Sequence, residues 1–98
     1  MRRRLIVSVE GESNLREART WYERQRTGLG DLYLDYVEET FDLVALNPDL
    51  FPKVFENNRL VRVRRFPYIV VYRVDGDQIT IVAVYHCSRD PRGWQNRN

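Results

Sequence analysis

The residues best suited to chemistry in this chain are arginines. Of its 16 basic residues, 15 are Arg and only Lys53 is Lys. Arg59, Arg62, Arg64, Arg65 and Arg73 lie close together in sequence, and the single histidine, His86, is followed by Arg89 and Trp94. A guanidinium is a planar fork of donors that matches phosphate and carboxylate, so this set favours specific anion contacts. With RNA, Arg would bind the phosphate and stabilise charge developing on it, His86 would move a proton, and Trp94 or Tyr85 would stack on a base. With a protein, the same groups would pair with the carboxylates of an acidic or amphipathic peptide, added as a strand at a sheet edge or laid as a helix across an open sheet face. Two plainer readings stand beside these. A GC-rich genome also encodes Arg in place of Lys. Arg62 and Arg64 equally suit the polar half of a half-exposed strand, and His86 suits a strand end satisfied by one hydrogen bond.

Charge sharpens the choice of partner. The formal net charge is only +2, but residues 1–4 carry three Arg, residues 5–58 are net −6 and residues 59–98 are net +5. Such asymmetry points to a nucleic acid or an acidic protein segment on the basic half. Other chemistries find no foothold. The acidic row Asp31, Asp35, Glu38, Glu39 and Asp42 has ordinary helix-surface spacing and no His beside it, so a solvated face is expected rather than a metal site. No phosphate-cradling Gly-rich loop or nucleophile-elbow motif occurs, and neither a metal nor a cofactor is expected. The lone Cys87 has no internal partner, so the reading is cytoplasmic. The apolar run Leu5–Val9 behind Arg2-Arg3-Arg4 stops at Glu10, too short for a secretory signal, and no stretch is long enough to span a membrane.

With 98 residues, 43% of them hydrophobic, one small domain spanning 1–98 is expected. Leu5–Val9 is β-branched and reads as a first strand. Ser13 or Asn14 would cap a helix whose apolar face is Leu15, Ala18 and Tyr22, with Trp21 at its margin. Gly28-Leu29-Gly30 breaks that helix, and a second, antiparallel one follows from about Asp31 to Asn47. Its inward stripe is Tyr33, Tyr36, Val37, Thr40, Phe41 and Val44. From Leu60 the period becomes two: Leu60–Phe66 alternates apolar residues with Arg, Pro67 interrupts, and Tyr68–Val74 and Gln78–His86 flank the turn Asp75-Gly76-Asp77. The order β-α-α-β-β-β is an α+β fold, an antiparallel sheet with a helical hairpin on one face. The simplest register would bring some of the Arg residues, His86 and Arg89 together near one sheet edge. The tail from Cys87 would fold back over the sheet edge or remain mobile.

The segment Arg65-Phe66-Pro67-Tyr68-Ile69-Val70-Val71-Tyr72-Arg73, then Ile79–His86, then Arg89-Asp90-Pro91 with Trp94, resembles the RelE/ParE superfamily of bacterial type II toxins. Trp21-Tyr22-Glu23, Gly28-Leu29-Gly30 and Asn47-Pro48 sit where that family has its helical-hairpin landmarks. The resemblance is nearest to the ParE-like, plasmid-stabilisation branch. It implies two helices on an antiparallel sheet, a cognate antitoxin that wraps the toxin as a hetero-oligomer, and DNA gyrase as the target. It would assign Arg59, Arg62, Arg64, Arg65, Arg73, Arg89 and Trp94 to target or antitoxin binding. The RelE-like branch instead cleaves mRNA on the ribosome, and would use Arg62, Arg64, His86 and Arg89. RelE-like nucleases place an Arg directly after the aromatic residue of the Phe-Pro-Tyr strand, and here that position is Ile69. A third reading is a degenerate member that only binds antitoxin.

Overall fold

The computed structural model describes residues 4–97, so Arg2 and Arg3 of the N-terminal run lie outside the described residues. The elements are β1 (Arg4–Val7), α1 (Val9–Gln25), α2 (Leu29–Leu46), β2 (Lys53–Phe55), β3 (Asn58–Arg62), β4 (Tyr68–Asp75), β5 (Gln78–His86) and α3 (Arg92–Gln95). The sheet runs β1-β5-β4-β3-β2; β1 is parallel to β5 and the other neighbours are antiparallel. The α+β order and the helical hairpin agree with the sequence reading, but the sheet is mostly rather than wholly antiparallel, because β1 runs parallel to β5. Three further details differ.

The first helix begins at Val9, capped by Ser8, rather than beyond Ser13 or Asn14. Ser8 Oγ accepts from the Gly11 amide at 3.0 Å and donates to the Val82 carbonyl at 3.2 Å, and the Ser8 amide donates to Ile81 O at 3.0 Å. One residue thus ends the strand, starts the helix and ties both to β5. Asn14, expected as a cap, is buried inside α1 instead. The second difference is a three-residue edge strand, β2, which lengthens the sheet beyond the expected set. The third is that β3 ends at Arg62: Arg65 adopts a left-handed φ of 70°, and the chain bends before Phe66.

Both faces of the sheet are covered. On one, Ala18, Tyr33, Val37 and Val44 of the helices pack on Val61, Val70, Tyr72, Ile79, Ile81 and Val84, as the two helical stripes anticipate. Tyr22, Tyr33, Phe66 and Tyr68 form an aromatic cluster there, with ring centroids 5.0–6.0 Å apart. On the other face Trp94 packs with Val71, Val82, Ala83 and Tyr85. Two consecutive residues of β5, Val82 and Ala83, face this side because the strand bulges: Tyr72 pairs with Ile81 but Val71 pairs with Ala83. The carbonyl of the extra residue, Val82, accepts from Ser8 Oγ and, at 3.0 Å, from Arg97 Nη1. The tail therefore folds over the sheet face rather than along its edge.

The aromatic cluster makes the fold sensitive to alkali. Burial raises the phenol pKa of Tyr33, Tyr68 and Tyr22 above the ordinary 10.0, most strongly for Tyr33. An acid whose folded pKa is raised contributes stability below its unfolded pKa and loses it as pH climbs towards the folded value. Stability is therefore expected to fall above about pH 10, with Tyr33 ionising only as the chain opens. Tyrosinate absorbance and far-ultraviolet circular dichroism should change together in one alkaline transition; Tyr33→Phe should move that transition to higher pH.

Candidate partner-binding surface

The arginines gathered in sequence are separated in space. Arg59 is a structural clamp: its guanidinium donates to the carbonyls of Phe51 at 2.6 Å and Asp49 at 3.2 Å, fixing the chain as it leaves α2. Tyr72 reinforces that exit by donating its hydroxyl to Pro48 O at 2.6 Å. Arg73 lies at the far end of the sheet, paired with Asp75 at 2.9 Å. Arg64 leaves the strand face expected for it and reaches α2, gripping Glu39 at 3.0 Å and covering the Tyr36 ring at 5.0 Å. Arg65 covers the same ring from 5.7 Å. The bend after Arg62 causes this, because it carries both side chains away from the sheet and over the hairpin.

Arg62 keeps the predicted direction. It is exposed, outward-facing and forms no ion pair among the described residues. Its register neighbours are Ile69 on β4 and, beyond it, Tyr85 on β5. Arg89 stacks on the Tyr85 ring at 4.2 Å, and Arg97 approaches the same ring at 5.2 Å. Trp94, read from the sequence as a binding or stacking residue, is 2% exposed and belongs to the core. Its ring meets Phe55 edge-on at 6.0 Å. A tail with few apolar residues buries the one large apolar group it has, and the open face awaiting a partner is closed by the chain itself. The strap is held by Arg97 Nη1, which also donates to Asn14 Oδ1 at 2.9 Å, while the Val84 amide donates to the same oxygen at 3.3 Å.

His86 points the other way. It alternates with Tyr85 and lies beside Tyr68 on the hairpin side, with ring centroids 5.2 Å apart. Its Nδ1 accepts from the Ser88 amide at 3.1 Å, with the Ser88 hydroxyl 2.8 Å away. In the neutral ring the proton therefore resides on Nε2. Of the four residues proposed for RNA cleavage only His86 and Arg89 come together, lining one cleft: Arg62 is on the tail side and Arg64 is engaged by α2. A cleft of about 220 Å3 separates α1 from the end of β5, lined by Glu17, Ala18, Trp21, Tyr68, His86 and Arg89 among others. Trp21, which the sequence placed only at a helix margin, is 56% exposed at its mouth. Among the described residues, no group of three or more His, Cys, Asp or Glu is placed to hold a metal, and no helix is long and apolar enough to cross a membrane.

A helical hairpin on one face of a mostly antiparallel sheet, with a short C-terminal strap on the other, defines a small α+β fold. A chain described as "Chromosomal ParDE TA system from P. aeruginosa" shares it, with a TM-score of 0.66, 17% identity, and coverage of 86% of this chain and 95% of that one. The family model "ParE toxin of type II toxin-antitoxin system, parDE" matches residues 5–91. "Toxin ParE2" of Mycobacterium tuberculosis, in strains CDC 1551 / Oshkosh and ATCC 25618 / H37Rv, is 32% identical over 92 residues, covering 93% of this chain and 88% of that protein. The chain belongs to the ParE toxin family.

Proposed function

We propose that this chain, acting as one domain in the cytoplasm, arrests growth by inhibiting DNA gyrase without itself cleaving nucleic acid, and that an acidic segment of its cognate antitoxin neutralises it. The observation that carries the non-nuclease reading is the row Arg62–Ile69–Tyr85. A phosphoryl-transfer site needs preorganised donors around the developing charge, and its centre here is an aliphatic side chain packed beside the buried Trp94 cluster. His86, the available proton carrier, is on the opposite face of the sheet. The charge split supports the antitoxin half of the reading, because exposed Arg62 and Arg89 offer bidentate sites for carboxylates.

Purified toxin should block gyrase supercoiling, or trap cleaved DNA, at near-stoichiometric ratios, and transcripts from induced cells should show no new ends by primer extension. Unimpaired gyrase together with codon-phased mRNA cuts would overturn the proposal.

A further inference from the structure

The cleft between α1 and the end of β5 has the anatomy of a binding hot spot. Trp21 is the one aromatic among the large apolar side chains left exposed in the described residues, and indole is the side chain that most often dominates an interface when a partner removes it from water. Beside it, Ala18 and Tyr68 form an apolar floor, and the polar groups are mainly donors. His86 has committed Nδ1 to the Ser88 amide, so its remaining polar group is the Nε2–H. Arg89 supplies a guanidinium, and Glu17 is the single carboxylate. Arg16 and Arg24 flank Trp21 on the adjoining helix surface. The rim is therefore net positive around an apolar centre.

We propose that this cleft receives an acidic peptide segment of a protein partner, with one bulky apolar side chain seated against Trp21 and a neighbouring carboxylate held by Arg89 and His86. The volume, roughly seven times the share of one liquid water, suits a single large side chain better than a base with its sugar and phosphate. The cleft also continues the surface described above. Tyr68 pairs with His86 one step along from the Arg62–Ile69–Tyr85 row, so an extended segment crossing the end of the sheet would meet Arg62 on one face and Trp21 on the other. Taking the antitoxin as that partner rests on the reading that an acidic antitoxin segment covers the second half of the chain.

The test uses full-length toxin and its cognate antitoxin. Trp94 is buried and Trp21 exposed, so iodide quenching of tryptophan fluorescence in the free toxin reports Trp21. Antitoxin should abolish that quenching. Trp21→Ala should weaken the complex about 30-fold or more and Arg89→Ala about 10-fold, with circular dichroism and melting temperature unchanged. Trp21 still quenched in the complex, with Trp21→Ala binding like wild type while Arg62→Glu binds weakly, would overturn the cleft but leave the antitoxin reading standing. Failure of wild-type toxin to bind antitoxin would overturn both. Protection of Trp21 by an oligothymidylate single strand but not by antitoxin would replace the peptide with a nucleic acid and overturn the proposal.

Discussion

Trp94→Ala is expected to cost about 3–5 kcal/mol of folding stability, as truncation of a buried large aromatic does. Trp94 is 2% exposed and packs on Val71, Val82, Ala83 and Tyr85, so its loss opens a cavity at the centre of the tail-side core. Small domains hold about 5–15 kcal/mol in all, and each kcal/mol moves the melting temperature of one this size by about 4–8 °C. A drop of tens of degrees should follow in a thermal melt. A Cβ at position 93 would collide with the Tyr85 hydroxyl, so glycine there lets the strap lie this close, and without the indole the strap keeps only its polar ties and the arginine contacts on the Tyr85 ring. Trp94→Phe should recover much of the stability. If Trp94 instead served only to contact a partner, both variants would melt with the wild type and lose binding alone.

The second large effect is expected at Gly30, where the sign of an ordinary rule reverses. Glycine inside a helix costs about 1 kcal/mol relative to alanine, so Gly→Ala there usually stabilises. At Gly30 a Cβ would lie 2.7 Å from Arg19 O and 2.9 Å from Glu23 Oε1. The first obstacle is backbone of α1, so the helices must separate. The second is the carboxylate that accepts the Gly30 and Gly28 amides, both at 3.0 Å, and thereby caps the start of α2 from the neighbouring helix. Gly30→Ala is expected to destabilise by about 1–3 kcal/mol, the range for overpacking, measured as a lowered urea midpoint with unchanged slope. A raised midpoint would show that the hairpin is not held at this spacing.

Periodicity carried most of the architecture. The stripe Tyr33–Val44 and the alternation through Val61 and Val63 name residues that are buried or, at Tyr36 and Phe41, half-buried, because burial of one face is what selects those patterns. What escaped was non-local. Ser8 caps α1 partly because Val82 accepts its hydroxyl, a partner 74 residues away, and the β-branched Val7 and Val9 around it read locally as strand. The strand β2 is too short to show alternation and exists through its pairing with β3. The site was less legible for the same reason. Sequence identifies a guanidinium but not what engages it, so Arg59, half-buried against two carbonyls, looked equivalent to Arg62, which has no ion-pair partner among the described residues. Trp21 could have been singled out by one signal: a tryptophan at the edge of an amphipathic stripe, between Arg16 and Arg24.

The parallel pairing of β1 with β5 also sets a schedule. β5 lies between β1 and β4, accepts the bonds of Ser8, and supports α1 on one face and the strap on the other. A ribosome releases the chain from its N-terminus, so β1 and the hairpin emerge long before the strand they fold upon. Closure of such distant contacts is slow and comes last. A nascent or prematurely terminated chain lacking residues 78–86 has no strand to join β1 to the rest of the sheet, and the cell meets the folded toxin only after those residues have been translated.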